Sequence, residues 1–238
     1  MVFPSHNDHT INLKLNGTEI KRVNSCHYLG IIIDDALKWT PHIEKIYRHL
    51  LKYVGIFYKL RNKLPKQVLK NIYFAFVHPY LLYGIEIYAN TCKEHIKNLT
   101  KLNNKLLRIL QYLPNSSHVG ELYVNYNTLT ISDLHKQQIL LLTHTFLHNN
   151  VALSEIFQDY FTINSAVHNY NTRANNAIHL PRANTTNGQR AVSFRAVNLW
   201  NNLPNYLKEM SSRDQFKTKL KCHFYEQYII NVGKDASE

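Results

Sequence analysis

The chain has 238 residues, a formal net charge of +12 and a pI near 9.5. Hydrophobic residues make up 45% and aromatic residues 12% of it, enough to bury a core, which excludes global disorder. Cys26, Cys92 and Cys222 are too few and too scattered for a disulfide framework, and they fit a reducing compartment.

Residues 1–9 have neither the basic start nor the apolar stretch of a secretory signal. Ile11, Leu13 and Leu15 then alternate with polar residues up to Asn16-Gly17, and Ile20 and Val23 continue the apolar face. That pattern predicts a β-hairpin with a two-residue turn. The β-branched run Tyr28 to Ile33 predicts a further strand, ending at Asp34-Asp35.

Thr40-Pro41 reads as an N-cap followed by proline in the first turn of a helix, with Glu44 placed where the helix dipole favours an acid. Ile43, Ile46, Tyr47, Leu50, Val54 and Phe57 recur at helical spacing. Lys45, Arg48, Lys52 and Lys59 fall off that stripe, so the helix has an apolar face and a basic face. Leu64-Pro65 ends it and starts a second helix, with Val68, Leu69, Ile72, Tyr73, Phe76 and Val77 inward and a break at Pro79. Tyr73 to Ala89 is interrupted by His78, Pro79 and Glu86, so it reads as a buried helix pair and not a membrane span.

A third long helix is predicted from about Lys93 to Leu113, with Ile96, Leu99, Leu102, Leu106 and Leu110 inward. Lys93, Lys97, Lys101, Lys105 and Arg108 recur every three or four residues, which places them in one exposed row. Pro114 to Ser117 marks a boundary in charge and pattern. A further helix is expected from Ser132 to about His148, then a long irregular segment from Asn164 to Gly188. An apolar stretch around Trp200 and an amphipathic basic helix from Phe216 to Ile230 close the chain. The expected fold is α+β and mainly α: residues 1–39 form a β element, 40–113 a basic helical domain and 114–238 a helical and irregular region.

Charge is concentrated in blocks. Residues 40–110 hold 13 Lys/Arg against 3 Asp/Glu, and Lys45 to Lys70 contains no acid. Several cations on one surface are what a polyanion needs for counter-ion release, so the block points to nucleic acid. Tyr47, Tyr53, Phe57, Tyr58, Tyr73 and Phe74 interleave with it. Periodicity turns all of them except Tyr53 toward the core, leaving Tyr53 to stack on a base.

Catalytic signals are weak. Asp34-Asp35 could hold magnesium only with a third carboxylate, and Ile32 stands where a polymerase strand carries an aromatic; a solvated turn before Leu37 and Trp39 is expected. Cys92-x-x-His95 is half of a zinc spacing and Cys222-His223 does not complete it. Cys26-His27 reads as a packed pair. There is no Gly-rich phosphate loop and no Gly-x-Ser-x-Gly elbow.

Five separated stretches, in order, carry a resemblance. They are Tyr28-Leu-Gly-Ile-Ile-Ile-Asp34 continuing as DALKWTPHIEKI, HPYLLYGIEIYAN from His78, HNYNTR from His168 to Arg173, LPRANTTNGQ from Leu180, and LWNNLP from Leu199 to Pro204. Together they resemble the C-terminal part of reverse transcriptases from non-LTR (LINE, Jockey-like) retrotransposons.

The resemblance implies that Tyr28, Leu29 and Gly30 form a primer grip. It implies that the basic helices form a thumb tracking an RNA–DNA or RNA template-primer duplex, and that the chain acts in the nucleus. No mechanism follows for HNYNTR or LWNNLP. The fingers, the palm aspartates and their Phe/Tyr-x-Asp-Asp motif would lie before Met1, with residues 1–3 as the last strand before the hairpin. The chain alone is therefore expected to have no catalytic residue, no metal site and no cofactor, magnesium serving only the complete polymerase. The other readings are a non-catalytic nucleic-acid-binding module from a transposable element and a protein-interaction domain.

Overall fold

In the computed structural model, the structure is described for residues 14–19, 21, 23–148, 160–167 and 177–235, with side chains of the last helix as far as Tyr228. Ile11, Leu13, Ile20 and the HNYNTR stretch lie outside the described residues, as do residues 1–3.

β1 (Lys14–Leu15) pairs antiparallel with β2 (Thr18–Glu19) through Asn16 and Gly17, at φ 49° and 81°. Two successive positive φ values match the strand twist, which is why Asn-Gly makes this turn. Of the apolar face expected of the hairpin, the described members Leu15 and Val23 are 66% and 51% exposed. The run from Tyr28 to Ile33 is not one strand. It folds back at Leu29-Gly30, both at positive φ, so β3 (Ser25–Tyr28) pairs with β4 (Ile31–Asp34) in a second hairpin, Ser25 opposite Asp34 and Tyr28 opposite Ile31.

Asp34 is buried rather than solvated. Its carboxylate accepts the backbone N–H groups of Lys38 and Trp39, both at 3.1 Å, and so fixes the entry to α1 (Thr40–Leu60). The cap is Trp39, in the left-handed region, and Thr40 is already helical; Pro41 sits in the first turn and Glu44 beyond it. Ile43, Ile46, Leu50 and Phe57 are buried, and Tyr47 and Val54 pack against them.

α2 (Lys66–Phe76) buries Leu69 and Tyr73, while Val68 and Phe76 are exposed among the described residues. The helical run breaks at Val77, and Pro79 sits in the first turn of the next helix, α3 (His78–Leu82); α4 (Ile85–Tyr88) is separated from α3 at Gly84, whose φ is 67°.

α5 (Lys93–Gln111) buries Leu99, Leu102, Leu106 and Leu110 and leans on α1. α6 (Val119–Asn125) packs against α5, α7 (Ile131–His148) packs against α3 and α4, and the short α8 (Asn164–Val167) follows. α9 (Thr186–Arg190), α10 (Val192–Asn201), α11 (Asn205–Lys208) and α12 (Arg213–Asp235) follow. The fold is thus α+β and mainly α, and no helix among the described residues is long and apolar enough to cross a membrane.

Buried apolar side chains from Ile31 to Phe224 form one cluster. A polar network crosses it: the Tyr73 hydroxyl donates to Asn103 Oδ1 at 3.0 Å, Asn103 Nδ2 donates to the Tyr123 oxygen at 3.1 Å, and the Tyr123 hydroxyl donates to Asn104 Oδ1 at 2.5 Å. Buried hydroxyls need such partners, since each one left unpaired costs about 1–3 kcal/mol.

Candidate nucleic-acid interface

Two contacts fix how the basic helices lie. Thr91, just before α5, donates its hydroxyl to the carbonyl of Lys38, just before α1, at 2.8 Å. At the other end the Tyr112 hydroxyl donates to the carbonyl of Arg61. α1 and α5 therefore run side by side in the same direction, and each turns the face opposite its buried stripe to solvent.

On α1, Lys45, Arg48, Lys52 and Lys59 are all exposed. Arg48 pairs with Glu44 at 2.7 Å, but both are solvated, so salt screens the pair and it contributes little. On α5, Lys93, Lys97, Lys101 and Lys105 form the expected exposed row. At 1.5 Å per residue the row covers about 18 Å, roughly half a turn of duplex. Arg108 departs from it. The loop after α5 folds back, Arg108 Nη2 donates to the carbonyl of Ser117 at 3.0 Å, and the side chain is half-buried.

The far end of the block is occupied by rings. Arg61 lies over Tyr58 at 4.8 Å and Tyr112 at 5.5 Å, Lys66 over Tyr112 at 5.9 Å and Lys70 over Tyr126 at 5.6 Å. The outward aromatic is Tyr58, 47% exposed, and not Tyr53, which packs between His49 and Phe57. Tyr58 directly follows the buried Phe57, so the turn of the helix carries it off the stripe.

Tyr28 and Leu29 are 63% and 71% exposed and, with Gly30, form the tip of the second hairpin. The tip is tied at two points. The Tyr83 hydroxyl donates to the carbonyl of Leu29 at 2.6 Å, and Lys45 Nζ donates to that of Gly30 at 3.2 Å. Lys45 thus joins the exposed turn to the basic face of α1.

Behind the turn is a cavity of about 340 Å³ lined by Gly30, His42, Ile46, His49 and Tyr80 among others. His42 Nδ1 accepts the Ile32 N–H at 3.3 Å, which places the proton of the neutral ring on Nε2. Burial, reinforced by Lys45 and His27, pushes its pKa down to about 4. His49 stacks on Tyr80 with centroids 3.8 Å apart, and burial followed by Lys52 lowers its pKa. Neither Nε2 has a partner among the described residues. The sequence reading missed both histidines. The signal was there, because each directly precedes a buried residue of the stripe, Ile43 and Leu50.

The described candidates for metal ligation have protein partners. The Asp34 carboxylate is committed to backbone, and His95 Nδ1 lies 2.7 Å from the Thr91 hydroxyl. His223 faces Tyr206 and Gln227. Among the described residues no three of His, Cys, Asp and Glu come together to hold an ion.

No family model and no solved structure matches this chain. Curated proteins do. The RNA-directed DNA polymerase from mobile element jockey of Drosophila melanogaster is 31% identical over 105 residues, 43% of this chain and 12% of that protein. The probable RNA-directed DNA polymerase from transposon X-element of Drosophila melanogaster is 30% identical over 94 residues, 38% of this chain and 10% of that protein. The jockey polymerase of Drosophila funebris is 28% identical over 103 residues, 42% of this chain and 11% of its own length. The chain is therefore related to Jockey-like retrotransposon reverse transcriptases, and the match spans about a tenth of the length of those relatives.

Proposed function

We propose that this chain is the duplex-gripping part of a Jockey-like RNA-directed DNA polymerase. It binds an RNA–DNA or RNA template-primer along the basic faces of α1 and α5, and Tyr28, Leu29 and Gly30 act as the primer grip. The four cations of α1 and the four lysines of α5 supply the phosphate contacts, while Arg108 braces the loop that follows. Residues 1–39, 40–113 and 114–238 serve as primer-grip element, thumb and C-terminal region. Polymerisation needs the fingers and palm of the same polyprotein, with their carboxylates and magnesium, and the chain alone binds without extending. Its place of action is the nucleus.

The observation that carries this reading is the pair of parallel helices, each with a solvated cationic row opposite its buried stripe, joined through Lys45 to an exposed turn. A freestanding nucleic-acid-binding module would use the same rows but would have no use for an exposed Tyr-Leu tip, which favours the polymerase reading.

Anisotropy of a labelled RNA–DNA hybrid, titrated with the chain at several salt concentrations, tests it. With 6–10 phosphate contacts, affinity falls by about 10³–10⁵ between 50 and 200 mM salt. Absence of binding at the lower salt, or binding indifferent to salt, refutes the proposal.

A further inference from the structure

The stretches 180–189 and 199–204, to which the sequence assigns no mechanism, meet in the fold. α9 and α10 form one wall of a cavity of about 530 Å³, and the first turns of α7 form the other. Arg190 and Arg195 both line it, and both are half-buried. Among the described residues, no carboxylate or carbonyl pairs with either guanidinium.

The neighbouring groups do not neutralise them. Lys136 is held by Asp133 at 2.8 Å, and that pair cancels its own charge. His135 binds Asn90 Oδ1 through Nε2 at 3.1 Å and is neutral at physiological pH, burial having pushed its pKa down to about 4 with help from Arg195 and Lys136. Two like charges therefore share a partly desolvated cavity, an arrangement that costs energy until an anion enters.

We propose that this cavity binds a phosphate monoester of nucleotide size through Arg190 and Arg195. A guanidinium offers a planar fork that grips two phosphate oxygens at once, and two forks match the double charge of a terminal phosphate better than the single charge of a carboxylate. Asn198 stands on the same wall, and the cavity is of the size that holds small ligands. Beyond Arg190 lies a second, apolar crevice of about 230 Å³ lined by Leu37, Trp39 and Ile87, which gives a flat base somewhere to sit while its phosphate stays on the arginines. The phosphate can come from a free mononucleotide or from the phosphorylated end of a strand. The site does not use the lysine rows of α1 and α5.

Calorimetric titration of the full chain distinguishes these sources. The probes are a deoxynucleoside 5′-monophosphate, the matching nucleoside, and a short single strand bearing either a 5′-phosphate or a 5′-hydroxyl. The phosphorylated member of at least one pair binds more tightly than its unphosphorylated partner by about tenfold or more. Preference within the first pair identifies a free nucleotide, and preference within the second alone identifies a strand end.

Arg195→Gln and Arg190→Gln each remove about tenfold of that binding, whereas the combined Lys217→Gln and Lys219→Gln changes, at exposed positions outside both sites, leave the phosphate preference intact. If Arg195→Gln does not fold, the wild-type pairs and Arg190→Gln still decide. Equal binding within both pairs, no binding of any probe, or a phosphate preference that survives Arg190→Gln overturns the proposal.

Discussion

The basic helices and the N-terminal hairpins both carry regularly spaced apolar residues, but the helices bury their stripes, whereas among the described hairpin residues Ile31 is buried and most of the others are not. Leu50, Phe57, Leu99 and Leu106 are fully buried, whereas Leu15, Val23, Tyr28 and Leu29 are each more than half exposed. Sequence period fixes which residues share a face; a neighbouring element decides whether that face is covered. α1 and α5 cover each other and leave their cations outside. The tip of the second hairpin is held mainly by polar anchors, from Tyr83 and Lys45, with Ile31 as its apolar one.

The sharpest way to break this contrast is to truncate one leucine in each region. Leu50→Ala should cost about 2–5 kcal/mol in chemical denaturation, since it opens a cavity in a core that closes only partly. Leu15→Ala should stay within about 0.5 kcal/mol. Equal losses would mean that the hairpin face is covered after all.

The aspartate pair offers a second contrast. Asp34→Ala removes the acceptor for two backbone N–H groups at the entry to α1 and should cost about 1–2 kcal/mol. Asp35→Ala, at the more exposed neighbour, should cost much less, and urea midpoints of the two variants would compare them directly.

Acid should weaken the helical core. His42, His78 and His135 are each held at about 4, chiefly by burial, against 6.5 in the unfolded chain. The unfolded chain therefore binds more protons between those values. Their contribution is complete above about pH 6.5 and is lost as the pH falls toward 4, by up to about 1.4 kcal/mol per pH unit for each histidine. Unfolding free energies at pH 7, 5.5 and 4.5 would read this slope, and a flat profile would show the rings to be hydrated.

The most local effect is expected at the first turn. Gly17→Ala puts a side chain at φ 81°, with nothing within 4 Å to collide with, and should cost about 1 kcal/mol of local hairpin stability. Amide exchange in β1 and β2 would show it, while global unfolding changes little.

Much of the fold was legible in the sequence. The inward stripes of α1 and α5 and the extent of α7 followed from helical period, and Asn16-Gly17 announced its own turn. Leu29-Gly30 did not, because a tight turn that puts a leucine at positive φ breaks no hydrophobic pattern. Arg108 kept the period of its row, but the loop that brings the Ser117 carbonyl back to it is a non-local event. Asp34 is buried by a local loop instead, in which the Lys38 and Trp39 N–H groups wrap the carboxylate, and no hydrophobic period announces it. Of the candidate interface, the cations were readable one helix at a time. That the two helices run parallel, and that Lys45 reaches Gly30, needed coordinates.

The central claim is that nucleic acid lies on the lysine rows, and one comparison tests it most directly. Lys97→Glu, Lys101→Glu and Lys105→Glu together reverse the middle of the α5 row. A control variant with Lys14→Glu, Lys217→Glu and Lys219→Glu changes net charge equally at exposed positions elsewhere. Both should melt near wild type, and in low salt the first should lose RNA–DNA hybrid binding by at least about a hundredfold while the control loses far less. Equal losses in the two variants would show that net charge alone attracts the duplex and that α1 and α5 are not its grip.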